Sequence, residues 1–264
     1  MSISLSTLVQ ALETIAPLEL AEPWDNVGLL VDPRLPGCEL SVERVLLAID
    51  ATDEVLKDPA LGENACLVAY HPPLFTAVKR ASAQATPALV QALRRNFAIY
   101  SPHTALDATA GGLNDWLAEA FGDHDALPLV PKDQTRVGAG RLVTLRSPLS
   151  LDEVLDRLKR HLGLSRLRLA SRTRGAPIQR VALCAGSGGS LFQPVTGVDL
   201  YLTGEMRHHD VLEKLAHGAS VILCEHSSSE RGYLPRLCES LRCALGDAAE
   251  FLIASADVEP IESV

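Results

Sequence analysis

VLLAID (45–50), TDEVLKD (52–58), CLVAY (66–70), PALVQALRRN (87–96), FAIYS (97–101) and GGLNDWLAEAFG (111–122) follow one another along the first half of the chain. Short, wholly apolar runs alternate with segments of helical spacing. Strands that are apolar on both faces and joined by helices belong to parallel sheets covered on both sides. An α/β fold with mostly parallel sheets flanked by helices is therefore predicted. In open sheets of this kind ligands bind beyond the carboxyl ends of the strands. Those ends are Asp50, Tyr70-His71 and Ser101-Pro102-His103. Polar residues stand where a site is expected, although the neighbouring prolines give each of them an alternative reading as a turn residue.

Towards the N-terminus, Leu5, Leu8, Val9, Leu12 and Ile15 keep helical spacing and predict a helix that ends before Pro17. EPWDNVGLLV (22–31) follows, in which Trp24, Asp25, Asn26 and Gly28 read as a tight turn entering a strand. Towards the C-terminus, residues 127–178 change character and hold much of the chain's arginine. They are read as a smaller α/β unit, with 1–126 plus 179–264 forming the main domain and the later strands completing the first sheet. VALCAGSGGSLF (181–192) is a strand running into a glycine loop, which could cradle an anion or, with Ala185 as its first small residue, form a nucleophile elbow. The loop lacks the lysine of a P-loop and the spacing of a dinucleotide fingerprint. In ILCEHSSSERG (222–232) a strand gives way to three hydroxyls that suit a helix start, placing His226 and Glu230 four residues apart on one side of a first turn.

A chain of 264 residues, 47% apolar, can bury a large core. No apolar run approaches the roughly 20 residues of a membrane span, and no targeting segment is visible, so a cytoplasmic location is expected, a nuclear or mitochondrial one remaining open. The six cysteines form no C-x-x-C pair, which argues against disulfides and a thiolate zinc site. A formal net charge of -9 opposes direct nucleic-acid binding.

The strand-end residues gather into His71, Asp107, His226 and Glu230, with Tyr70, Asp25, His208 and Arg231 as a second shell or substrate contacts. Asp107 alone reads equally well as a helix cap, and Arg231 as a carboxylate partner or an anion holder. Two imidazoles and two carboxylates without thiolates suit zinc, iron or manganese, and a bridging carboxylate suits a pair of ions serving hydrolysis. His103 and Glu205 are then the candidate catalytic proton carriers.

The stretches EPWDNVGLLV, YHPPLF (70–75), YSPHTALDATAGGLNDWLA (100–118), ALCAGSGGS (182–190), DLYLTGEMRHHD (199–210) and ILCEHSSSERG, in this order, resemble the NIF-three-like family. Some bacterial members of that family are named type 2 homologues of GTP cyclohydrolase I. The Tyr-His and CEHSSSERG forms are closer to its eukaryotic branch. The resemblance implies a two-domain α/β fold, a ring of six chains and a two-metal site, with His71, Asp107, His226 and Glu230 as ligands and His103 beside them. Many bacterial members carry two histidines where this chain has Tyr70-His71, and neutral tyrosine is a poor ligand near neutral pH. Two functions follow as expectations: a metal-dependent hydrolase of a nucleotide-like or phosphorylated small molecule, or an interaction scaffold or transcriptional coregulator with a structural metal site.

Overall fold

The computed structural model describes residues 1–132 and 136–261, which divide into two compact units, Met1–Leu106 with Leu234–Val264, and Asp107–Tyr233. The boundaries expected from the sequence lie near 126 and 178. In the first unit a five-stranded sheet runs in the order Glu250–Ile253, Arg44–Ala48, Ala65–Ala69, Ala98–Ser101, Gly28–Val31. The first four strands are parallel and the last is antiparallel. Their register aligns Leu252, Leu46, Leu67 and Ile99 in one row across the sheet. That row enters a core with Val55, Leu56, Leu61, Ala88, Ala92 and Phe97. Each fully buried leucine here contributes about 1.5–3 kcal/mol.

The helices of this unit obey local rules. Leu5–Ile15 buries Leu5, Leu8 and Leu12, and the Thr7 amide donates to the Ser4 hydroxyl at its start. Pro87–Arg95 opens on a proline and closes on Asn96 at φ 57, a left-handed cap. Parallel pairing matters most for function, because it brings the carboxyl ends of the Arg44–Ala48, Ala65–Ala69 and Ala98–Ser101 strands to one edge. Asp50 and His71 lie in the bends just beyond them, and His103 opens the helix that follows the third.

The second unit holds a six-stranded sheet in the order Arg168–Ala170, Ser220–Leu223, Leu200–Glu205, Ile178–Ser187, Arg141–Leu149, His124–Leu127. Its three middle-to-edge strands Ser220–Leu223, Leu200–Glu205 and Ile178–Ser187 are mutually parallel, and the other pairings are antiparallel. These three strands were expected to complete the first sheet, and they build the second instead. Among the described C-terminal strands, only Glu250–Ile253 joins the first. Apolar periodicity marks a buried strand but carries no information about which distant strand it pairs with.

Helix Leu151–Leu162 begins with a full capping box, in which the Glu153 amide donates to the Ser150 hydroxyl and the Ser150 amide to the Glu153 carboxylate. Arg141, only 1% exposed, donates to the Asp115 carboxylate and to the carbonyls of Thr109, Gly138 and Gly140, so its buried charge is paired and hydrogen-bonded.

Cys66 and Cys224 are buried small hydrophobes of the strand regions, and burial pushes each thiol up to about 12. Cys184 and Cys238 are raised by burial as well, whereas Cys38 and Cys243 are exposed. Iodoacetamide applied to the native chain at about pH 8 is expected to modify Cys38 and Cys243 alone, because the thiolate is the nucleophile. Peptide mass mapping that finds Cys66 or Cys224 alkylated before unfolding contradicts this burial.

Candidate metal centre

In the first unit two histidines are held in the same manner. His71 follows the Ala65–Ala69 strand, and its Nδ1 lies 2.9 Å from Asp50 Oδ1. Asp50 is itself placed from the far end of the chain, since Asp257 accepts from the Ile49 amide at 2.9 Å and the Asp50 amide at 3.5 Å. His103 Nδ1 lies 2.8 Å from Asp25 Oδ1, and the side chain of Asp25 is wholly buried. The other oxygen of Asp25 accepts from the amide and hydroxyl of Thr104 at 3.1 and 2.5 Å. His103 has φ +26, a left-handed conformation that costs a β-carbon-bearing residue about 1–3 kcal/mol. The Asp25 clamp is what holds it there. Tyr70 is 2% exposed, with its ring 4.9 Å from that of His71 and 5.4 Å from that of His103.

Burial acts to raise the Asp25 carboxyl, but the hydrogen bonds from His103 and Thr104 outweigh it and leave the group below its ordinary value. With a lowered folded pKa, the stabilisation is complete above the unfolded value and is lost as pH falls through the folded one. Asp25→Asn is therefore expected to be the less stable protein near neutrality, with the gap between the two urea midpoints narrowing below about pH 4. A gap that stays constant down to about pH 2 contradicts this role for the carboxylate.

The second unit repeats the device. His226 Nδ1 lies 3.0 Å from Glu205 Oε1, and His226 Nε2 lies 3.4 Å from Glu230 Oε1. The α-helix expected from Ser227 is absent. Ser227–Ser229 and Arg231–Tyr233 are single 3-10 turns, and the α-helix begins at Leu234. The Ser229 hydroxyl explains the difference, since it donates to the His226 carbonyl at 2.6 Å and accepts from the Gly186 amide at 2.7 Å. A hydroxyl that takes a backbone carbonyl competes with the helical ladder. Glu225, just before His226, is at φ +65, the second left-handed non-glycine beside a candidate ligand.

The glycine loop is committed to this framework. The Gly188 amide donates to the Thr203 hydroxyl, which donates in turn to the Gly186 carbonyl, at 2.9 and 3.1 Å. The Ala185 amide donates to Asn114 Oδ1 at 2.9 Å, and Asn114 Nδ2 donates to the Asp107 carbonyl at 3.1 Å. The amides of Ala185, Gly186 and Gly188 are thus taken by side chains and are not offered to an anion. Asp107 lies inside the helix His103–Ala108, not at a helix start, which removes its reading as a cap. Arg231 donates to the Ser227 hydroxyl at 3.1 Å. His208 opens the helix His208–Ala216 with its ring against that of His209, and lines a cleft with Arg168, Met206 and Leu223.

The pair His226 and Glu230 suits a cation. A β-carbon at Gly186, whose φ is +61, would stand 2.6 Å from Glu230 Oε1 and 3.0 Å from His226 Nε2, so a glycine keeps a space open beside both donor atoms. Ligands on tetrahedral zinc at about 2.0–2.1 Å lie roughly 3.3–3.4 Å apart, the separation found between these two atoms. A carboxylate on Nδ1 fixes the proton on that nitrogen and leaves the Nε2 lone pair as the ligand. Asp50, Asp25 and Glu205 each occupy that position on a different histidine. Asp50 was visible in the sequence as a strand end, whereas Asp257, Asn114 and Ser229 gave no signal because their partners lie far along the chain.

Residues 3–260 match the profile of Duf34/NIF3 (NGG1p interacting factor 3). NIF3-like protein 1 of Rattus norvegicus is 34% identical, over 98% of this chain and 93% of the relative. The NIF3 homolog of Schizosaccharomyces pombe is 38% identical over 98% of each chain. Among solved structures, the Staphylococcus aureus hypothetical protein SA1388 superposes with a TM-score of 0.83 over 100% of both chains at 20% identity, a likeness of fold. No helix among the described residues is long and apolar enough to cross a membrane.

Proposed function

Because the chain belongs to the Duf34/NIF3 family, we propose that it is a metal-dependent hydrolase of a nucleotide-like or other phosphorylated small molecule. His71, Asp107, His226 and Glu230 are the proposed ligands of two divalent ions, zinc, iron or manganese. Of these, His226 Nε2 and Glu230 Oε1 stand 3.4 Å apart within the second unit. The observation that carries the reading is the repeated carboxylate on Nδ1 of His71, His103 and His226. Histidines kept for packing have no need of three such partners, while histidines kept as ligands or proton carriers do.

When bound, the ions would lower the pKa of a coordinated water and neutralise charge on the displaced oxygens. The chain's own groups do the rest. Asp50 and Glu205 aim Nε2 of His71 and His226, so Glu205, expected to move protons itself, is assigned to orienting a ligand. His103, backed by buried Asp25, is assigned the proton transfer, a role worth about 10²–10⁴-fold in rate. No residue described above selects guanine, and GTP ring opening rests on a family name alone. A six-chain assembly is retained as part of the proposal.

The test is a panel of nucleotides and phosphoesters offered to metal-replete protein. Turnover is expected, with His103→Ala slower by about a hundredfold or more. If no member of the panel is hydrolysed, the hydrolase reading fails. The family description, an interacting factor, favours one second reading, a scaffold whose protein contacts depend on a structural metal and are lost in His226→Ala. Loss of partner binding together with metal in that variant supports the scaffold.

A further inference from the structure

We propose that Trp24 and Phe75 form a stacking lip for a planar heteroaromatic ring, which narrows the substrate class to nucleoside phosphates and similar phosphorylated heterocycles. This rests on reading His71 and His103 as residues of the reacting site. The chain has two tryptophans and five phenylalanines. Trp116, Phe97, Phe121, Phe192 and Phe251 are all at most 7% exposed, as expected of large apolar rings. Trp24 and Phe75 are 60% and 52% exposed. These two exceptions come from different loops and yet are neighbours, with centroids 5.8 Å apart.

Neither ring is exposed by being on a loose end. Asn26 Nδ2 donates to the Leu74 carbonyl at 2.5 Å, tying the Trp24 loop to the Phe75 loop. Asp25, next to Trp24, is the buried clamp of His103 and Thr104. The backbone therefore holds two apolar faces out to solvent, an arrangement that a ligand can repay and packing alone does not. Both rings meet the edge of His103, at 6.0 and 6.3 Å, and His103 in turn lies 5.4 Å from His71. A ring held on the lip is thus one imidazole away from a proposed metal ligand. Aromatic faces bind heterocycles by offset or tilted stacking with little regard to the identity of the base. That suits a subsite that positions a substrate while the chemistry occurs on an attached phosphate.

The test uses the full chain, as purified and again after chelation, and follows tryptophan emission during titration with adenosine 5′-monophosphate or ribose 5-phosphate. Saturable quenching by the nucleotide and none by the sugar phosphate is expected in both preparations. Trp24→Leu should abolish the quench, since the remaining Trp116 is buried. Phe75→Leu should weaken nucleotide binding by about five- to a hundredfold, and Phe75→Tyr should restore it, as loss and return of one stacking face require. Absence of quenching, equal quenching by the sugar phosphate, or unchanged affinity in Phe75→Leu overturns the proposal. So does an emission that moves to the blue as protein concentration rises, which would mean that a second copy of the chain covers the lip. The chelated preparation separates the two readings: a failed metal site leaves the quench intact, and a failed lip leaves metal content unchanged.

Discussion

Gly204→Ala is expected to destabilise the second unit by about 3 kcal/mol or more, the upper end of the range for overpacking. A β-carbon at this position would meet the Gly186 carbonyl oxygen at 2.6 Å, the His226 Cα at 2.7 Å and the Glu225 carbonyl oxygen at 2.8 Å. All three contacts are backbone, so no side-chain rotation relieves them. The strand Leu200–Glu205 lies at the centre of its sheet, paired in parallel on both sides, and cannot shift without breaking a ladder. Urea unfolding followed by circular dichroism reads the effect. A loss below about 1 kcal/mol would mean that the strand passes the His226 turn less closely than described. The same substitution displaces His226, so loss of bound metal is expected at urea concentrations where the fold persists.

Gly186→Ala separates the site from the scaffold. Here the nearest atoms are the far ends of Glu230 and His226, at 2.6 and 3.0 Å, which can swing away. The protein is therefore expected to fold, at a cost of about 1 kcal/mol for a β-carbon in the left-handed region. Relief comes only by moving the two donor atoms out of position. Metal affinity should drop by about a hundredfold or more, since a displaced ligand is at least as costly as a lost outer-shell partner. Ser187→Ala, next to it and exposed, is the control and should bind normally. Equal metal affinity in Gly186→Ala and the parent would show that His226 and Glu230 do not share an ion.

Much of this was legible in the residues. Leu5, Leu8, Leu12 and Ile15 announced the first helix through their spacing, and the apolar runs of the first half gave four strands of one sheet with their polar ends in place. His71, His103 and His226 followed from the rule that ligands gather beyond carboxyl ends of parallel strands. Other features were illegible for physical reasons. The assignment of the Ile178–Ser187 strand to a second sheet depends on pairing with Arg141–Leu149, a choice that apolarity does not encode. The 3-10 turn at Ser227–Ser229 depends on one hydroxyl meeting Gly186, more than forty residues away. Asp257 reaches Asp50 from the chain's end, where an isolated acidic residue resembles any surface carboxylate. In the glycine loop, three amides serve Asn114, Thr203 and Ser229, partners that its glycine pattern does not announce.

Elemental analysis of the gently purified chain bears most directly on the proposed metal centre. At least about one transition ion per chain, and two when replete, is expected in the parent. His71→Ala and His226→Ala should each lose most of it while keeping their circular dichroism. Less than one ion per chain in the parent, or retention of the full complement in both variants, would contradict a metal centre built from these histidines.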